Sequence, residues 1–262
     1  MIDFQEAYGW LYQFDALDSF LSESAKRFES PIQEALTNQD FANLDGPITQ
    51  ILKIAQTSTK ILEKGEICLL CARAYYAKAE IEIANADINI EAAGTKIAEA
   101  RLEKAKAELE KTKGELEIKR AKERKSKVRL DKAKFELEKA KVEWVKAEAG
   151  LDKAKDELNK AEAEREKAKG ELGKALELMD EAGNLYKSNP HQYAVVQWLK
   201  GCTYLKMKKN QPEALQYWQN GLDTFERLKV QYRMDKQGID WYQEQCEKMR
   251  QSIQQVKLDD RP

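Results

Sequence analysis

The stretch LEIKRAKERKSKVRL, residues 116–130, decides how this chain folds. On either side of it an apolar or small residue returns at nearly every seventh position. Inside it, Lys119, Glu123 and Ser126 fill three successive places of that series with polar side chains. Toward the N-terminus the series reads Ile67, Ala74, Ile81, Ile88, Thr95, Leu102, Leu109 and Leu116; toward the C-terminus it reads Leu130, Leu137, Trp144, Leu151, Leu158, Arg165, Leu172 and Met179. Three residues after most members comes a small one, such as Ala98 and Ala105 before the stretch, and Ala133, Ala140, Ala147, Ala154, Ala161 and Ala168 after it. A seam of this length, large at one place and small at the other, predicts a coiled coil.

Two arrangements satisfy the seam. In an antiparallel hairpin turning at KRAKERKSK, residues 119–127, Leu116 lies near Ala133, Leu109 near Ala140, Ala105 near Trp144, Ala98 near Leu151, Ile81 near Ala168 and Ala77 near Leu172. Large then meets small, as close packing requires. A continuous parallel dimeric rod stacks like on like, but it pairs the flanking charges better: Lys106, Lys113, Lys134, Lys141 and Lys155 repeat on one side, with Glu108, Glu115, Glu136, Glu143 and Glu157 on the other. Exposed pairs contribute only about 0.2–1 kcal/mol, so packing favours the hairpin and a monomer, with the parallel dimer as alternative. The absence of Gly and Pro from the turn speaks for the rod. Each hairpin arm would have roughly 55 residues and a length of about 80 Å.

Composition agrees with a patterned helical chain. Of 262 residues, 35% are charged, against about 25% in an ordinary globular protein. The 45 Lys and Arg nearly cancel the 46 Asp and Glu, which argues against a generally nucleic-acid-binding chain and against an acidic disordered one. The start, MIDFQEAYGW, has no basic, apolar leader pattern and no run is long and apolar enough to span a bilayer, so no membrane partner and a cytoplasmic location are expected. Cys68, Cys71, Cys202 and Cys246 are too few for a disulfide scaffold and would stay reduced there. Prolines stand only at 31, 47, 190, 212 and 262, and only Phe135 and Trp144 are aromatic between residues 77 and 185, so the two ends hold the core material.

Near the N-terminus, Ala7, Trp10, Leu11, Phe14, Leu17 and Leu21 predict a helix over residues 3–23. Ser30 and Pro31 interrupt, a short helix runs to about Leu36, and LDGP at residues 44–47 reads as a loop. A further helix from Ile48 carries Ile51, Leu52, Ala55 and Ile61 and stops at Gly65. A last helix is expected around Ile239, Trp241, Tyr242, Cys246, Met249, Ile253 and Val256.

The segment WLKGCTYLKMKKNQPEALQYWQNGL, residues 198–222, resembles a tetratricopeptide repeat: Trp198, Gly201 with Cys202, Leu205, Ala214, Trp218 and Gly221 stand at that family's offsets, and Glu226 stands where the family usually has proline. A second copy looks split, with Cys68, Cys71, Ala72 and Tyr75 as its first helix and Ala175, Met179 and Ala182 as its second. The separation exceeds the family's by 91 residues, thirteen heptads. Because the two helices of such a repeat are antiparallel neighbours, the resemblance implies the hairpin.

The expected fold is therefore all-α: a tetratricopeptide-like helical head with a long projecting antiparallel coiled-coil hairpin. Residues 1–64 form N-terminal helices of the head, 65–80 the first helix of the split repeat, and 81–171 the hairpin insertion. Residues 172–230 hold the second helix and the clear repeat, and 231–262 a capping helix and tail.

No motif announces catalysis. Cys68 and Cys71 make a CxxC, but with no second CxxC and with repeat-core spacing they read as buried small residues. His191, the single histidine, has no nucleophile identifiable beside it by motif. Gly114, Gly150, Gly170 and Gly173 read as softening of the helices. Arg165 and Glu91 interrupt the seam on opposite arms, as a register-fixing pair or as breaks that lower stability. The cations Lys119, Arg120, Lys122, Arg124, Lys125, Lys127 and Arg129 gather at the turn with no aromatic among them. The reading is a non-enzymatic interaction scaffold without cofactors, contacting a protein partner through these cations and through Tyr193, Gln197 and Tyr217 of the head. The rival is a nucleic-acid-associated protein gripping phosphates through the turn.

Overall fold

The computed structural model describes residues 2–12, 23–38, 41–207, 211–231 and 236–259. Among them every regular element is helical: α1 (Phe4–Gly9), a 3-10 turn (Trp10–Tyr12), α2 (Glu23–Thr37), a second 3-10 turn (Phe41–Asn43), α3 (Asp45–Thr57), α4 (Ile61–Glu123), α5 (Lys127–Leu185), α6 (Pro190–Lys206), α7 (Gln211–Gln231) and α8 (Lys236–Asp259). Two compact units result, Met1–Glu80 with Ala168–Pro262, and Ile81–Lys167.

In the first unit, α2, α3 and the start of α4 share a core of Ile32, Leu36, Leu44, Ile48, Ile51, Ile67, Leu70 and Cys71. Aromatic rings join the rest: Phe4 stacks on Tyr76 at 3.9 Å, Trp198 on Trp218 at 4.9 Å, and Trp10 lies 6.3 Å from Trp198 and 5.8 Å from Phe225. Between α6 and α7 the small residues set the distance. Gly201 lies under the Trp218 ring, and Gly221 packs against the Ala194 carbonyl. Lys78 reaches Glu171 at 3.5 Å with both side chains nearly sealed from water.

Four expectations about this unit are corrected. The first helix ends at Gly9 and tightens into a 3-10 turn, which points Trp10 into the rings of α6 and α7; Phe14, Leu17 and Leu21 lie outside the described residues. Pro31 does not interrupt α2, although proline inside a helix typically costs about 3 kcal/mol, because Ile32, Ala35 and Leu36 are buried against α3 and α4. LDGP is no loop: Leu44 is fully buried at the N-cap of α3, and Pro47 sits in its first turn, where a missing N–H is harmless. Gly65 ends nothing. The helix stops at Thr57, Ser58 turns extended, and Gly65 lies buried inside α4 beneath the Tyr186 ring, 2.6 Å from where a Cβ would stand.

In the second unit the two long helices pack together and run antiparallel, as ion pairs from Asp87 to Arg165 (2.9 Å), Lys96 to Glu157 (2.7 Å) and Lys104 to Glu148 (2.9 Å) require. On α5 the buried row is the expected one, Ala133, Ala140, Ala147, Leu151, Ala154 and Ala161. On α4 it is not. The residues turned to α5 are Ala86, Ala93, Ala100, Ala107, Gly114 and Ala121, alternating with Ile83, Ile90, Ile97, Lys104, Lys111 and Ile118. Leu102, Leu109 and Leu116 are 57%, 56% and 48% exposed, and Ala98 and Ala105 are exposed with them. Small residues on both helices allow backbones to approach: a Cβ on Gly114 would stand 3.3 Å from the Leu137 Cα. Leucines in both seams would hold the helices apart. Trp144 meets Lys104 and Lys111, whose Nζ atoms lie 4.8 and 5.8 Å from its ring centre, rather than Ala105.

Candidate interaction surfaces

The connection between α4 and α5 closes without glycine. Lys125 takes the left-handed conformation, φ 51°, while Lys125 N–H donates to the Lys122 carbonyl and Ser126 N–H to the Ala121 carbonyl, each at 3.1 Å. These two bonds form a Schellman stop and satisfy carbonyls that end the helix. The polar stretch is therefore the turn itself. Lys119, Arg120, Lys122, Arg124, Lys125, Lys127 and Arg129 are all exposed, and among the described residues no ion pair holds any of them. A groove just below, between the two helices, is lined by Glu110, Glu117, Glu136 and Glu143 against Lys113, Arg129, Lys132 and Lys139, so it favours neither sign of ligand.

The head residues separate. Tyr193 is half-buried. Gln197 is 5% exposed, with its amide against Gly183, so it is withdrawn from the surface on which it was expected. Tyr217 is half-buried and engaged: its ring stacks on Tyr204 with centroids 5.2 Å apart, and Lys200 Nζ lies 4.0 Å from its centre while bonding Asp180 at 2.5 Å. Burial, reinforced by Tyr217, holds the Tyr204 hydroxyl above its ordinary pKa. Lys200, Asp180 and Tyr204 were missed from the sequence. The available signal was Lys200 itself, a lysine inside the apolar run VVQWLKGC, which can be buried there only with a partner.

His191 is buried with both nitrogens used. Nε2–H donates to the Trp10 carbonyl at 2.8 Å, which fixes the tautomer, and Nδ1 accepts the Tyr242 hydroxyl at 2.9 Å. Phe225 stacks on the ring at 5.6 Å. Desolvation lowers its pKa, partly offset by the Trp10 bond. It acts as a structural pin between the first 3-10 turn and α8.

All four cysteines are free and buried. Burial pushes Cys68, Cys202 and Cys246 up to about 12 and Cys71 higher still, so none supplies a thiolate near neutrality. Among the described residues no group of three or more His, Cys, Asp or Glu side chains is placed to hold a metal ion. Arg165 pairs with Asp87, while Glu91 is exposed, so the two seam breaks do not form a pair. Among the described residues no helix is long and apolar enough to cross a membrane. No protein-family model matches the sequence, and comparison with curated proteins and with solved structures finds no match.

Proposed function

We propose that this chain is a non-enzymatic protein–protein interaction scaffold, built from a tetratricopeptide-like helical head and an antiparallel coiled-coil hairpin whose basic turn contacts an acidic protein surface. The observation that carries the reading is the set of seven exposed cations around the Schellman stop, none neutralised by a described neighbour. Concentrating like charges on a turn opposes folding slightly, and an acidic partner offsets that repulsion. The interlocked α6–α7 pair, with Trp198 on Trp218 and glycine at each close approach, supports the likeness of the head to a tetratricopeptide repeat.

A nucleic-acid reading shares the cations. It is weaker because no ring lies among them to stack a base, leaving phosphate contact alone. Anisotropy titrations of the full chain with a labelled poly-glutamate peptide and with a labelled DNA duplex, each at low and at physiological salt, separate the two. Binding of the acidic peptide that is abolished by Lys122→Glu, Arg124→Glu and Lys125→Glu together is the expected result. Tighter binding of the duplex with a steep salt slope establishes the rival. No binding of either probe at low salt removes the basic turn as a contact.

A further inference from the structure

The α4 face turned away from α5 has the make-up of a second seam. Leu102, Leu109 and Leu116 recur there every seven residues, and Ala98, Ala105 and Thr112 complete the alternation of large and small. The Thr112 hydroxyl is returned to the Glu108 carbonyl of its own helix at 2.9 Å, so no unpaired hydroxyl interrupts the strip. On α5 the corresponding outward row, Val128, Phe135 and Val142, is narrower, because Asp131 and Glu138 follow its first two members three residues on and only Val142 is followed by an exposed apolar residue, Val145. The monomer expected from the sequence presumed that α4 uses its leucines against α5. The observed seam leaves them in water.

We infer that a second copy of this chain covers this strip, the two α4 helices packing antiparallel about a twofold axis near residue 107. That register sets Leu109 on the partner's Ala105, Leu102 on the partner's Thr112 and Leu116 on the partner's Ala98, large into small at every layer. The flanks are complementary as well: Glu99 falls beside the partner's Lys113 and Arg101 beside the partner's Glu115, while like charges meet only at the axis, at Lys106 and Glu108. Lys113 is held by Glu110 of its own helix at 2.6 Å, an exposed pair that exchanges at little cost. A parallel copy would balance its charges about equally but would stack leucine on leucine and leave the alanine layers underfilled. The strip spans about three heptads, roughly 28 Å, which places the interface at the small, reversible end.

Sedimentation equilibrium of the full chain over a wide concentration range tests this. A monomer–dimer equilibrium is expected, and Leu109→Glu should weaken it at least about tenfold while leaving helix content unchanged, since Leu109 does not touch α5. A chain that stays monomeric, or a dimer indifferent to Leu109→Glu, overturns the inference. Orientation is read by disulfide capture. Chains carrying Ala98→Cys mixed with chains carrying Leu116→Cys should cross-link to each other, whereas Leu116→Cys linking to itself would mean a parallel pair and overturn the register. Glu99→Lys should weaken the dimer, and adding Lys113→Glu to the same chain should restore it; failure to restore also counts against the register.

Discussion

Replacing Gly201 by alanine is the sharpest test of the packing between α6 and α7. The new Cβ would stand 2.3 Å from Trp218 Cδ1, 2.5 Å from its Nε1 and 2.9 Å from the Ala214 carbonyl oxygen. The ring cannot easily retreat, because Trp218 is fully buried, stacks on Trp198 and donates its indole N–H to the Trp198 carbonyl at 3.1 Å. Overpacking of this kind costs about 1–3 kcal/mol, and loss of the indole bond adds about 0.5–1.5 kcal/mol. Alanine regains about 1 kcal/mol as the better helix former. The net expectation is a loss of about 0.5–3.5 kcal/mol, or about 1–14 °C in Tm for a chain of this size. Gly170 in α5, where a Cβ meets nothing within 4 Å, is the control: Gly170→Ala should gain up to about 1 kcal/mol. Urea titrations followed by circular dichroism read both variants. A Gly201→Ala chain as stable as the parent would show that α6 and α7 do not approach as closely as described.

At the turn, Lys125→Gly should stabilise the second unit by about 0.5–1 kcal/mol, since a left-handed residue with a Cβ costs about 1–2 kcal/mol and glycine loses about 0.5–1 kcal/mol of that in chain entropy; unchanged or lower stability by thermal melting argues against the left-handed turn. His191 gives stability a pH dependence. Burial lowers its folded pKa below the ordinary 6.5, so the unfolded chain binds the proton more readily. Its contribution is complete above about 6.5 and is lost as pH falls from there toward the folded value. Urea titrations at pH 7.5 and 5 should show a steeper loss for the parent than for His191→Gln; equal losses would mean that the imidazole is not sealed from water.

Much of the helical plan is legible in the sequence because heptad periodicity persists over many turns. The heptad series on α5 corresponds to the row that is buried, since Leu130 through Leu158 offer that helix only one strongly apolar face of sufficient width. On α4 the same method selects the wrong face, for an instructive reason. The helix has two heptad strips, one of leucine with alanine and one of alanine and glycine with isoleucine and lysine, and hydrophobicity ranks the leucine strip first. Close approach ranks the other first, and the lysines that spoil its score, Lys104 and Lys111, are accommodated by Glu148 and the Trp144 ring. The N-terminal errors share one cause. Pro31, Pro47 and Gly65 read as punctuation in the sequence, whereas burial among neighbouring helices decides what those residues do. At the candidate surfaces, the turn cations are visible as a run of charge. The Lys200, Tyr204 and Tyr217 group is assembled from two helices and cannot be read from either alone.

Trp144 is the only tryptophan within Ile81–Lys167; Trp10, Trp198, Trp218 and Trp241 all belong to the other unit. With two ammonium groups beside its ring, its emission is a built-in optical gauge of whether α4 and α5 remain zipped at that level. The difference between the emission of the parent and that of a chain carrying Trp144→Phe reports the opening of the long helices alone. A Trp144→Phe chain is silent there and reports the remainder, so the two units can be watched melting separately without attaching a dye.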